Sequence, residues 1–306
     1  MAGNTNKMRD SDDFEDFQEQ AAEFELADVI EIEDDDEYEE EEEEETSTFS
    51  FVQADFSPEA SKAWRFELSE PEIRAILERG QFGGLKLVPW GSNYTFIAPL
   101  CDEETGQEYA AIYKPMRGEA PLWDFPNGTL YKREYGAYLV SKALGWHFIP
   151  PVIVRDGPHG IGTVQLFVDV NERQQYYDFR ENHAHELKRI ALFDYITNNA
   201  DRKAGHCLLG GDGYIWGIDH GLCFNHVPKM RTIIWDFAGE PIPEDICIDL
   251  AELATDSARL ADLRAQLREL LERREIDLFQ QRLENVLNEP RFPSLTSRRQ
   301  IPWGFF

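Results

Sequence analysis

The stretch that decides the fold is Asn198-Asn199-Ala200-Asp201-Arg202-Lys203-Ala204-Gly205-His206, followed by Cys207-Leu208-Leu209, the turn Gly210-Gly211-Asp212-Gly213, Tyr214-Ile215-Trp216-Gly217, and Ile218-Asp219-His220-Gly221. Two short apolar runs around a glycine-rich turn read as a β-pair, and a polar island stands at each outer end. Helix termination and turn chemistry explain the asparagines and the glycine, but not Asp-Arg-Lys together. The hairpin brings Asp201 and Asp219 to one end, facing one crevice. Two converging carboxylates supply hard oxygen ligands for Mg²⁺ and an acceptor for the proton of an attacking hydroxyl.

Working outward, helical periodicity covers 184 to 198 before this unit, and roughly 249 to 273 and 275 to 287 after it. Upstream, from Pro71, the chain breaks into β-like pieces: Leu85 to Val88, Tyr94 to Ile97 and Tyr109 to Lys114. A helix is expected at 129 to 144, with Gly145 where its C-cap belongs. Strands at Val152 to Val154 and Thr163 to Val168 complete a sheet of about five strands. A β-rich lobe followed by an α-rich lobe is an α+β, two-lobed arrangement, with ligand expected in the crevice between them. Lys114 closes the nearly uncharged strand Ala110-Ala111-Ile112-Tyr113, so its ammonium either snorkels to water or is held by an anion.

Charge is distributed unevenly over the 306 residues. Residues 1 to 50 hold 22 of the 59 acidic side chains against Lys7 and Arg9, so this segment carries −20 and the other 256 residues carry −9 of the net −29. Residues 1 to 48 therefore read as a disordered acidic tail able to dock on a basic protein partner. The remainder divides into a β-rich lobe with a hinge at 49 to 168 and an α-rich lobe at 169 to 306. Strong negative charge disfavours nucleic acid and stable membrane association, because both depend on cationic contacts. Four cysteines without C-x-x-C spacing argue against zinc ribbons and disulfides. With no apolar leader or membrane-spanning run, a soluble cytoplasmic protein is expected. Arg298-Arg299-Gln300-Ile301-Pro302-Trp303 near the C-terminus reads as a segment too short for an element, packed on the α-lobe rather than binding a partner.

Six blocks in order resemble the phosphatidylinositol 3-/4-kinase-like superfamily, particularly type II phosphatidylinositol 4-kinases, related bacterial kinase-like proteins and, more distantly, HipA kinases. They are Gly91-Ser92-Asn93-Tyr94-Thr95-Phe96, Ile112-Tyr113-Lys114-Pro115, Lys132-Arg133-Glu134, Gln165-Leu166-Phe167-Val168, Asn199-Ala200-Asp201-Arg202 and Ile218-Asp219-His220-Gly221. The resemblance spans roughly residues 83 to 250 and implies a protein-kinase-like fold that uses ATP and Mg²⁺. It implies that Lys114 binds the α/β-phosphates, held by Glu134, and that Ser92, Asn93 and Thr95 offer donors to the β/γ-phosphates. The backbone of Gln165, Leu166, Phe167 and Val168 would hydrogen-bond adenine. Asp201 would orient or deprotonate an acceptor hydroxyl, Asp219 would ligate the metal, and Arg202 or Lys203 would offset charge on the transferring phosphoryl group.

Two positions depart from the family pattern. Tyr94 stands where a second loop glycine is usual. His206 replaces a metal-binding asparagine, which tilts the second metal position toward Mn²⁺ or removes it. The leading expectation is γ-phosphate transfer from ATP to a hydroxyl on a protein Ser/Thr or a small molecule rather than a lipid. The alternatives are a nucleotide-binding pseudokinase or an AMP-transferring enzyme.

Overall fold

Strands β3 (Phe96–Asp102) and β4 (Gln107–Pro115) pair antiparallel, with Phe96 opposite Tyr113 and Asp102 opposite Gln107. Alternating side chains of β3 are buried, which is the period-2 pattern of a sheet with one face on a core. In the turn, Gly106 has φ +69 and Asp102 accepts from the Glu104 amide and the Thr105 hydroxyl. These features come from a computed structural model that describes residues 68–89, 91–170 and 174–302. The expected acidic tail lies outside the described residues.

The sheet has six strands rather than about five. The short strands β1 (Gln81–Phe82) and β2 (Lys86–Leu87) both pair with β3, and the order continues β3-β4-β6-β5, with β5 at Val152–Gly157 and β6 at Gly160–Leu166. Helix α1 (Glu70–Arg79) packs on this sheet where the sequence reading expected only β-like pieces. Its start was written in the chain: Ser69 and Glu72 form a capping box, and Pro71 fits the first turn. Ile73 and Leu77 join Ala98, Leu100, Ala111, Tyr113, Val164 and Leu166 in one buried cluster.

A second, larger core belongs to the helices. It gathers α2 (Leu130–Ala143), α4 (Ala184–Thr197), α5 (Glu244–Thr255), α6 (Ser257–Arg268) and α7 (Arg273–Asn288), with the short helix α3 (Tyr176–Phe179) and the hairpin β7 (Cys207–Leu209) with β8 (Ile215–Gly217). The helix expected at 249 to 273 is two helices. Asp256 breaks it by accepting from the Ala258 and Arg259 amides, which caps α6.

Helix α2 is the strut between the two halves. No side chain of its own caps its start; the Glu119 carboxylate instead accepts from the Leu130 and Tyr131 amides at 3.0 and 2.8 Å. Arg133 on α2 is 1% exposed. It donates to Glu275 of α7 at 2.7 Å and to the Cys223 carbonyl at 2.8 Å. Removing one member of such a pair leaves a buried charge without a partner. Arg133→Met is therefore expected to lower stability by about 3–5 kcal/mol. R133M/E275L should recover most of that loss in urea unfolding; a double variant no more stable than the single one would contradict this account.

Candidate active site

The site is assembled from two ends of secondary structure that the chain keeps far apart. At the sheet side, Lys114 leaves β4 beside Gly162 of β6, where an added Cβ would lie 2.3 Å from the Lys114 carbonyl oxygen. Its Nζ lies 3.2 Å from Glu134 Oε2 on α2 and 3.2 Å from Asp219 Oδ1. The other carboxylate oxygen of Glu134 accepts from the His220 amide at 3.1 Å. One carboxylate thus fixes both the lysine and the backbone of the Asp219 loop. Asp219 itself has φ +60, a left-handed conformation unusual for a residue with a Cβ.

Asp219 Oδ2 lies 3.2 Å from His206 Nε2, and His206 Nδ1 lies 3.0 Å from the Asp201 carbonyl oxygen. With Nδ1 donating to that carbonyl, the Nε2 lone pair faces the cleft beside the Asp219 carboxylate. The Asp201 carboxylate carries Lys203 Nζ at 3.2 Å. Lys114, Asp219, His206, Asp201 and Lys203 are therefore one chain of contacts.

Charge balance in the cluster follows from these neighbours. Burial opposes the Lys114 charge, but Asp219 and Glu134 outweigh it and raise its pKa. The Lys114 ammonium in turn holds the Asp219 carboxyl well below the usual range, although its side chain is 48% exposed and solvent screens part of the effect. Burial raises the Asp201 carboxyl, and Lys203 works against that rise. Burial also pushes the His206 imidazole down to about 4, against the pull of Asp219.

Arg202 does not face the crevice, and the expected role at a phosphoryl group is corrected. It is fully buried; Nε and Nη2 donate to Asp194 at 3.0–3.2 Å, and Nη1 donates to the Ile218 and His206 carbonyls at 2.8 and 3.2 Å. Its second nitrogen donates to His220 Nε2 at 2.6 Å. Arg202 thus clamps both outer ends of the β7–β8 hairpin, and through them His206 and Asp219. Asp194, which the sequence reading passed over, anchors this clamp. It is 0% exposed and also accepts from Asn199 Nδ2 at 2.8 Å and the Thr232 hydroxyl at 3.1 Å. Asn199 Oδ1 then accepts from the Asp201 amide at 3.0 Å. A lone carboxylate inside Ile190-Ala191-Leu192-Phe193-Asp194-Tyr195-Ile196 was the available signal.

The glycine-loop residues lie where β3 begins, next to the end of β4 that carries Lys114. Asn93 Oδ1 accepts from the Ala120 amide at 2.8 Å, which fixes the side chain and leaves its Nδ2 as the donor. Ser92 is exposed, and the Thr95 carbonyl accepts from the Val88 amide. Tyr94 donates its amide to the Gly118 carbonyl, and a Cβ on Gly118 would lie 2.4 Å from the Tyr94 Cβ. The absence of a side chain at Gly118 therefore makes room for Tyr94. In the hinge, Gln165 pairs with β4 and β5 and Leu166 donates to the Pro151 carbonyl, so their backbone groups belong to the sheet. Phe167 donates to the Ala110 carbonyl, leaving its own carbonyl and the Val168 amide as the first groups beyond the ladder. The Gln165 side chain is buried, and its Nε2 lacks a hydrogen-bond partner among the described residues.

For a divalent ion, the chain offers Asp219 Oδ2 and His206 Nε2 at 3.2 Å separation. Two ligands about 2.1 Å from one octahedral ion stand about 3.0 Å apart, so the pair suits neighbouring positions on a metal. No group of three or more His, Cys, Asp or Glu able to hold a metal exists among the described residues. Two protein donors completed by phosphate oxygens and water is the manner in which Mg²⁺ is commonly bound with nucleotides.

Residues 153–291 match the family described as "Phosphatidylinositol 3- and 4-kinase". The chain is 38% identical to Protein Rv2133c of Mycobacterium tuberculosis (strain ATCC 25618 / H37Rv), over 76% of this chain and 95% of that protein. It is 26% identical to phosphatidylinositol 4-kinase gamma 4 of Oryza sativa subsp. japonica, over 50% of this chain and 34% of the rice protein, so it spans about a third of that protein's length. Among solved structures, the Helicobacter pylori proinflammatory kinase CtkA superposes with TM-score 0.44 at 10% identity, covering 70% of this chain and 94% of that one.

The imidazoles also set acid sensitivity. His206 and His220 are held neutral by burial in the fold, whereas an unfolded chain protonates them near 6.5. Between pH 6.5 and about 4 the unfolded state binds the extra protons, so stability is complete above that window and falls as pH falls through it. His206→Gln removes one of these groups. Its unfolding free energy from urea melts at pH 5 should fall less from the pH 7 value than that of the unaltered protein, a difference of about 2 kcal/mol. Equal acid sensitivity of the two proteins would contradict the assignment.

Proposed function

Because this chain belongs to the phosphatidylinositol 3- and 4-kinase family, we propose that it transfers the γ-phosphate of ATP to a hydroxyl acceptor. The observation that carries this reading is the meeting of Lys114, Glu134 and Asp219, which come from β4, α2 and the loop after β8. A lysine held between two carboxylates can exchange one of them for phosphate oxygens while keeping the other as its tether. Glu134 is the tether, since it also grips the His220 amide. Asp219 is the partner released.

Asp219 and His206 would hold the divalent ion, which supplies charge neutralisation at the phosphate oxygens. The Val168 amide and Phe167 carbonyl would meet the base edge, with the unpartnered Gln165 amide as a further polar group beside it. Asp201, raised by burial, would take the proton as the acceptor oxygen bonds to the γ-phosphorus and the bond to ADP breaks. Lys203 beside it would offset the charge that develops there. Arg202 holds the geometry and touches none of the reacting atoms.

Lys114→Ala and Asp219→Ala should each lower γ-phosphate transfer by at least about a hundredfold. Asp201→Ala should keep nucleotide affinity in a thermal-shift titration and lose transfer to a similar degree. Mn²⁺ should support a higher rate than Mg²⁺, with the preference reduced in His206→Asn. Retained turnover in both K114A and D219A removes the reading. Transfer of label from α-labelled rather than γ-labelled ATP would convert it to nucleotidyl transfer.

A further inference from the structure

In a chain of net −29, the acceptor side of the crevice is lined by cations. Residues 225–232 run beside the catalytic segment: Lys229 donates its amide to Asn198 Oδ1, Arg231 donates to the Asn199 carbonyl, and Arg202 donates to the Arg231 carbonyl. The Arg231 charge reaches the Asp201 carboxyl, and its Nε donates to the Arg299 carbonyl at 3.2 Å. Thr232 donates to the Gln300 carbonyl, so the turn Arg298–Gln300 is seated against this segment. The segment expected to pack inertly on the α-lobe therefore delivers two exposed arginines beside the catalytic loop. Among the described residues, no carboxylate forms an ion pair with Arg231, Arg298 or Arg299, whereas eight of the other fifteen arginines there have one.

The opposite end of the same segment carries an aromatic plane. Trp123 is 91% exposed, with Lys229 Nζ, which is paired to the adjacent Asp124 carboxylate, 4.3 Å from its ring centroid. Phe125, two residues on, packs with Leu130 and Ala200, which fixes this loop beside Asp201. A cationic end, the acceptor carboxylate and an exposed tryptophan thus lie along one extended strip.

We propose that this strip binds the acceptor, and that the acceptor is an acidic polypeptide segment carrying Ser or Thr. The chemistry of transfer rests on the phosphotransferase reading above; the binding does not. An anionic bilayer would meet the whole negative surface of the protein at once, whereas a narrow acidic segment presents its charge only to the strip. Unpaired arginines at the rim steer such a segment and fix its register.

The probe is a fluorescent peptide copied from Glu39 to Ser50, which places seven consecutive glutamates before Thr46, Ser47 and Thr48. Its anisotropy is titrated with the full purified chain, with R298E/R299E and with Trp123→Ala. A glutamine-substituted peptide, inositol phosphate and phosphatidylinositol vesicles are run as competitors. The expected result is salt-sensitive binding that weakens tenfold or more in R298E/R299E and severalfold in Trp123→Ala, with the nucleotide-induced thermal shift unchanged. Absence of binding, equal affinity for the glutamine peptide, no loss in R298E/R299E, or displacement by vesicles but not by free acidic peptide overturns the proposal. Peptide bound as expected but never phosphorylated refutes the phosphotransferase reading and leaves the surface standing. Phosphorylation indifferent to peptide charge does the reverse.

Discussion

The site depends on a single ammonium ion held between two carboxylates. Lys114 extends from the sheet to meet Glu134 and Asp219 at 3.2 Å each, and the two carboxylates favour its charge more than burial opposes it. This contact ties β4 to α2 and to the loop after β8.

A second, fully buried charge network stands beneath the first. Arg202 and Asp194 exchange three hydrogen bonds at 3.0–3.2 Å, and the remaining guanidinium donors close the two ends of the hairpin through the His206 and Ile218 carbonyls. Such an arrangement is costly to desolvate and contributes little stability relative to an apolar core of the same volume. Its use here is positional: the backbone bearing Asp201, His206 and Asp219 is fixed by one fully buried side chain. The left-handed φ at Asp219 persists because the His220 amide on one side and the Ile218 carbonyl on the other are both held. Arg133 and Glu275 repeat the device between α2 and α7, which carries the position of Glu134 into the helical core.

The helices Leu130–Ala143 and Ala184–Thr197 and the strands β4, β5 and β6 were readable, because burial patterns of period 2 and 3.6 are local properties of the chain. Helix α1 was readable as well, through Ser69, Pro71 and Glu72, but the β-like segments that follow it drew the interpretation away. The break at Asp256 hides in an otherwise helical composition and appears only when its carboxylate is seen to cap two amides. At the site, the chain displayed Lys114, Asp201 and Asp219 through their positions at the ends of apolar runs. It gave no means of telling Arg202 from Lys203, adjacent cations of which one turns inward to Asp194 and the other outward to Asp201.

What the amino-acid order settled by itself was the inventory: an acidic segment, a β-rich part before an α-rich part, and polar residues stationed at element ends, all set by composition and local periodicity. The tertiary structure alone decided which polar groups meet. Glu134 and Asp219 share one lysine across 105 residues of chain between the lysine and the aspartate; Asp194 anchors Asn199 and Arg202 from inside a helix; and the turn Arg298–Gln300 is seated against Arg231 and Thr232 from near the C-terminus. Contacts of that kind depend on which surfaces pack together and on which charges burial forces into partnership, and neither is encoded within any short window of sequence.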